Sequence, residues 1–146
     1  MKGKIIAVNI SKDKGEKKQD VGRCLLVEDH GLEHDAHAGP WHRQVSLLAE
    51  ESIDKMRAMG LKVGPGDFAE NLTVTGINLP ALPIGTTLKV GVGVILQVTQ
   101  IGKVCHDRCN IFKTVGDCVM PREGIFAQVM TGGEVAAGDD IEVVVS

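Results

Sequence analysis

The chain is short of aromatic side chains: three Phe, one Trp and no Tyr, or 3 % of its 146 residues. Hydrophobic residues nevertheless reach an ordinary 43 %, which argues against wholesale disorder. A core must therefore be built from Val, Ile, Leu and Met by interdigitation of branched side chains. Scarce rings also exclude the pattern of stacking aromatics in a basic groove that single-stranded nucleic acids require. Charge agrees: sixteen basic against nineteen acidic residues leave a net of -3, and no nucleic-acid partner is expected. No apolar run approaches the length of a membrane span, and MKGKIIAVNISKDKG at the amino end returns quickly to charge. Neither a membrane contact nor a signal peptide is expected, and the expected compartment is the cytoplasm. There the four cysteines, Cys24, Cys105, Cys109 and Cys118, need not pair as disulfides. No glycine-rich phosphate loop between strand and helix occurs, and no internal repeat. The length suits one domain, residues 1–146.

What the chain has in quantity is glycine, eighteen residues among dense Val and Ile, a composition that suggests short strands and tight turns. KIIAVNIS (4–11) and VGRCLLVED (21–29) read as a hairpin joined by KDKGEKKQD (12–20), a solvated loop. Cys24 shares a face with Leu26 and reads as a small hydrophobe. HGLEHDAHAGPWHRQ (30–44) carries four of the five histidines, has no period and should be a loop. RQVSLL reads as a strand leading into a helix, with Ile53, Met56 and Met59 or Gly60 at helical spacing, acids in the first turn and Gly60 as the stop. A glycine-proline loop then precedes the strand LTVT. Leu88, Val90, Val92, Val94, Leu96 and Val98 keep a period of two through two glycines, as one bent strand or two adjacent ones would. IFAQVM and DDIEVVV close the chain as strands. The expected fold class is mainly β: a closed or strongly twisted, barrel-like sheet of about seven antiparallel strands with one or two short helices.

The chemistry concentrates in GKVCHDRCNIF (102–112). Cys105 and Cys109, four apart, would share one helix face at roughly 5–6 Å. Lys103, His106 and Arg108 favour the thiolate of Cys105, which could act as nucleophile, persulfide carrier or soft-metal ligand. Zinc with Cys118 and a histidine, a redox pair, and simple space filling are the alternatives. In the histidine loop, Asp35, His37 and His42 offer polar groups without a tight metal-binding spacing. Arg43 suits bidentate contact with a phosphate or carboxylate. Glu70 and Asn71, just before a strand, either tie down neighbouring loops or face a ligand, and Arg122 and Glu123 suit a local salt bridge.

Taken in order, GLEHDAHAG with RQVSLL, GDFAENLTVTGINL, IGTTLKVG, VILQVTQIGKVC and EGIFAQVMTGGEVAAGDDIEV resemble the MOSC domain, the module similar to the C-terminal part of molybdenum cofactor sulfurases. The resemblance spans nearly the whole chain. It implies a β-barrel of the pyruvate-kinase-barrel-like kind and binding of the molybdenum-pterin cofactor, or carriage of sulfur as a persulfide, through a conserved cysteine. That cysteine matches Cys105, with Cys109 as rival, and Cys105 is then also the metal ligand. His37 takes a catalytic place, while Asp35, Arg43, Glu70, Asn71 and Lys103 take cofactor-binding ones. Implied partners are a molybdoenzyme, a cofactor-biosynthesis protein or a cysteine desulfurase, since no pyridoxal phosphate lysine is supplied here. A non-catalytic module that delivers cofactor, or a zinc-stabilised domain, is the alternative function. Two departures stand out. His34 replaces a glycine before the aspartate, so the loop is expected to turn differently, and Val104 replaces a proline before the cysteine.

Overall fold

A computed structural model describes residues 1–13, 16–102 and 123–144. Seven strands close into a barrel: β1 (Lys2–Ile10), β5 (Val45–Ala49), β6 (Leu72–Thr75), β7 (Thr87–Val90), β8 (Val94–Ile101), β9 (Ile125–Thr131) and β11 (Asp140–Val144). Around the barrel the order is β11-β7-β8-β9-β5-β6-β1, and β1 pairs back onto β11, which removes every edge. The short β2 (Gln19–Asp20) extends β1. A separate three-stranded sheet comprises β3 (Arg23–Val27), β4 (Gly31–Leu32) and β10 (Gly133–Ala136).

The sheet is mixed, where the sequence suggests antiparallel strands throughout. β5 and β6 run parallel, with Leu47 opposite Leu72 and Ala49 opposite Val74. That geometry needs a crossover, supplied by α1 (Glu50–Ala58) and the glycine-proline loop after it. Ser52, Ile53 and Met56 form its buried face, Met59 is half exposed, and Gly60 follows at φ +93°. A single 3-10 turn follows at Leu79–Ala81.

One other expectation is corrected. β1 and the strand at 23–27 do not form a hairpin: β1 is flanked by β11, β6 and β2, and the later strand pairs with β10 and β4 instead. The period-two run from 88 to 98 forms two adjacent strands, the second of the two arrangements its spacing allows. Gly91 turns at φ +61° and Val92 stands 98 % exposed at the tip of the β7–β8 hairpin, while its neighbours Val90 and Val94 enter the core.

Val8, Leu47, Leu72, Leu88, Leu96, Ile125 and Ile141 fill the barrel interior without an aromatic ring. Among the described residues, the phenylalanines Phe68 and Phe126 are buried in a second cluster with Leu48, Ile53 and Met56, between α1 and the outer barrel wall. Aliphatic side chains thus build the interior, and rings seal the helix to it.

Candidate functional site

Beside the core runs a second buried set, and it is polar: Asn9, Ser11, Lys18, Asp35, Gln44, Ser46, Glu70, Asn71 and Thr73. Buried polar groups are costly unless hydrogen-bonded, and here nearly all of them hold the loop 33–44 and its supports. Asp35 is the hub. Its Oδ1 accepts from the Ser11 N–H at 3.0 Å and from Lys18 Nζ at 2.7 Å, and its Oδ2 accepts from the His37 N–H at 3.2 Å. Burial alone would raise this carboxyl, but the Lys18 ammonium, the Ser11 N–H and the Asn71 amide together hold it below the usual aspartate value. Neither side chain of the Lys18–Asp35 pair is exposed.

Lys18 is the residue that sequence reasoning misses. It sits in the charged run 12–20, whose other described lysines, Lys12 and Lys17, are exposed as expected. Its ammonium also donates to Ser11 Oγ at 3.0 Å and meets His37 Nδ1 at 3.0 Å. Its backbone N–H donates to the Gly66 carbonyl at 2.8 Å. Gly66 is required there, since at φ +87° an added Cβ would stand 2.1 Å from the Lys18 carbonyl oxygen.

Asn71 braces the start of β5. Its Oδ1 accepts from the Ser46 N–H at 2.9 Å, and its Nδ2 donates to the Asn9 carbonyl at 3.1 Å. Glu70 accepts from the Thr73 hydroxyl at 2.7 Å through Oε2, while Oε1 and the nearby acceptor Asn9 Oδ1 lack partners. Burial pushes the Glu70 carboxyl up. Both residues are wholly enclosed, so of the two roles open to them from sequence, the observed contacts are those of loop supports.

His37 leads outward from this interior to the half-buried part of the loop. Its carbonyl accepts from the Trp41 indole N–H at 2.7 Å. Arg43 then lays its guanidinium over Trp41, 4.7 Å from the ring centroid, and lies 5.7 Å from that of Phe126 on β9. Its Nε is buried with no acceptor. The next residues tie this loop to β8 and β9. Thr99 donates to the His42 carbonyl, His42 Nε2 meets Gln100 Oε1 at 2.9 Å, and Gln128 Nε2 donates to the Trp41 carbonyl at 3.3 Å. Gln100 in turn donates to the Gly102 carbonyl at 2.7 Å, and the Gly102 N–H donates to the Gly124 carbonyl at 2.7 Å. The chain leaves for the cysteine stretch at Gly102 and returns beside the same place.

Cys105, Cys109, Cys118, Lys103, Val104 and Arg122 lie outside the described residues. Glu123 accepts from Ser52 Oγ at 2.7 Å and Lys55 Nζ at 2.9 Å, both on α1. Cys24 is half-buried, and burial first, then Glu33 and Asp35, raise its thiol, which suits a packing role. Among the described residues no three His, Cys, Asp or Glu side chains converge on a metal position, and no helix is long and apolar enough to cross a membrane. His34, placed where the resemblance expects glycine, has φ +68°. The loop therefore keeps a left-handed turn despite the side chain, a conformation histidine tolerates better than most residues.

The seven-stranded mixed barrel, its one main helix and the polar-braced loop define a small, closed β-barrel domain. The sequence model of the MOSC domain matches residues 33–142, and the chain belongs to that family. Solved structures agree on the fold. The YuaD protein from Bacillus subtilis superposes with a TM-score of 0.82 at 20 % identity, covering 98 % of this chain and 96 % of that one. YiiM from Geobacillus stearothermophilus gives 0.72 at 18 % over 98 % and 75 % of the two chains, and YiiM from Escherichia coli 0.65 at 21 % over 100 % and 71 %. A search of curated proteins gave no match.

Proposed function

We propose that this chain binds an anionic cofactor of the molybdenum-pterin class, or carries sulfur toward one as a persulfide, where loop 33–44 meets the ends of β8 and β9. One observation carries the reading: the Arg43 guanidinium sits over the Trp41 ring with a buried Nε that no acceptor satisfies. A planar cation with an unused donor suits a phosphate group, and the ring beneath it pre-orients it. The cysteine stretch supports the same place. Cys105 follows Gly102 by three residues, a covalent reach of at most about 11 Å, and Gly102 is tied through Gln100 to His42.

In this reading Arg43 neutralises the phosphate, and Lys103 adds charge. The Cys105 thiolate holds the metal or the transferable sulfur. When bound, the molybdenum-pterin supplies oxo- or sulfur-transfer chemistry, and the protein supplies position and charge. Asp35, Asn71 and Glu70 serve from behind, by fixing the backbone that presents His37 and Arg43.

The test is purification from a molybdate-replete host, with molybdenum, phosphorus and sulfane sulfur measured per chain. Cys105→Ser is expected to lose the bound molybdenum or persulfide while its circular dichroism is unchanged. Full loading in Cys105→Ser and loss in Cys109→Ser would move the role to Cys109. Full loading in both variants would sink the thiol reading.

A further inference from the structure

The geometry points to Lys18 as a positioning residue that locks the His37 imidazole in one neutral tautomer, with the lone pair on Nδ1 and the proton on Nε2. An ammonium has three hydrogens and no acceptor. Lys18 Nζ has three partners: Asp35 Oδ1 at 2.7 Å, Ser11 Oγ at 3.0 Å and His37 Nδ1 at 3.0 Å. Asp35 is a fully enclosed carboxylate, and a neutral amine beside it would leave a buried negative charge without a counter-ion. Lys18 is therefore an ammonium, all of whose hydrogens are engaged. Toward His37 it can only donate, so Nδ1 can only accept.

The rest of the ring follows from that constraint. A neutral imidazole with a lone pair on Nδ1 carries its proton on Nε2. Whatever Nε2 faces, it faces as a donor. A protonated Nδ1 would set one N–H against another across 3.0 Å. His37 is thus shaped to give a hydrogen bond to an acceptor atom, such as an oxyanion or thiolate, and not to ligate a metal through Nε2, which needs a lone pair there. The inference deepens the proposed reading, in which His37 belongs to the ligand site, but the tautomer does not depend on any ligand being bound.

The backbone makes Lys18 rigid enough for the task. Its N–H is bonded to Gly66, whose lack of a Cβ lets the two backbones touch. Ala36 donates to the Ser11 carbonyl at 2.9 Å, so the end of β1, Lys18 and the segment 35–37 move as one unit.

The experiment is long-range proton–nitrogen correlation on the full chain labelled with 15N-histidine, free of ligand, at a pH where the rings are neutral. His37 is expected to show a lone-pair nitrogen at Nδ1 and an N–H nitrogen at Nε2. In Lys18→Met its two nitrogens should move toward the averaged values of exchanging tautomers. If the lone Asp35 charge prevents that variant from folding, the double variant Lys18→Met, Asp35→Asn removes both charges together and should show the same averaging. A proton on Nδ1 in the native chain overturns the inference, as does an unchanged tautomer in a folded variant. Failure of the cofactor reading would look different, with molybdenum and sulfane sulfur absent and the native His37 spectrum intact.

Discussion

Replacing Glu70 by glutamine should stabilise the protein, and increasingly so as pH rises. Glu70 is enclosed, its carboxyl pushed up first by burial, with the Thr73 hydroxyl and nearby backbone N–H groups of Gly66, Glu70 and Phe68 drawing it only part of the way back. None of those N–H groups reaches Oε1 as a hydrogen bond, and Asn9 Oδ1 is likewise without a donor. A glutamine amide is neutral at every pH and, like the protonated acid, has hydrogen to donate. The sign follows from linkage. Below the unfolded glutamate value, ~4.3, both states are protonated and wild type pays no ionisation penalty. Between that value and the raised folded one, the unfolded chain ionises while the native state holds its proton, so native stability falls by up to about 1.4 kcal/mol per pH unit. Glu70→Gln lacks this loss. Urea unfolding of both proteins from about pH 4.5 to 8 should show the difference growing in favour of glutamine and levelling off once Glu70 ionises in the native state. Near pH 7 the variant should unfold at a higher urea concentration and a higher Tm than wild type. A difference that does not change with pH would refute the reasoning.

Gly66→Ala should cost more than about 2 kcal/mol, because strain at positive φ adds to a clash with the Lys18 carbonyl. Gly85→Ala, at φ +95° but with nothing within 4 Å of the new Cβ, should cost only about 1 kcal/mol. Equal losses by urea denaturation would mean that the Lys18–Gly66 contact is not tight. Asp35→Ala leaves the Lys18 charge buried alone and should cost about 3–5 kcal/mol. Because the Asp35 carboxyl is held below its usual value, its contribution is present above the unfolded value near ~3.9 and disappears as pH falls through the folded one. The gap between wild type and variant should therefore close in acid, and a gap that stays constant to low pH would count against the pair. Arg43→Lys loses the guanidinium placed over Trp41 and should weaken inorganic phosphate binding, measured by calorimetry, about tenfold with little change in Tm.

The parts legible in the sequence were those whose signals are local. The strand before α1 and the helix itself follow from side-chain spacing within about fifteen residues, and the apolar alternation of β8 survives intact. What was not legible depends on distant partners. Nothing in residues 4–29 says that β1 has both sides taken by β6 and β11, which is why the nearby strand cannot pair with it. Lys18 reads as one more lysine in a charged run, because a solvated ammonium and one held by three acceptors have the same sequence signature. Arg43 was recognisable as a candidate, yet its aromatic support comes partly from Phe126, eighty-three positions away.

The placement of charge narrows what the loop end can hold. Of the three carboxylate and amide residues that the family resemblance puts with the ligand, Asp35 is neutralised by Lys18, Glu70 is pushed toward its protonated form, and Asn71 holds backbone. None presents free negative charge outward. At the half-exposed edge the described groups are instead a guanidinium with an unsatisfied donor and an imidazole whose Nδ1 is taken by an ammonium. In the proposed reading these donors and positive charges would meet the ligand, while Asp35 and Glu70 lie buried behind them. A site of that polarity attracts phosphate, oxyanion or thiolate groups and gives a bare cation little to bind unless the cysteine stretch supplies the ligands. Any molybdenum would then depend on the thiolates for its protein bond and on Arg43 for the charge of the group that carries it.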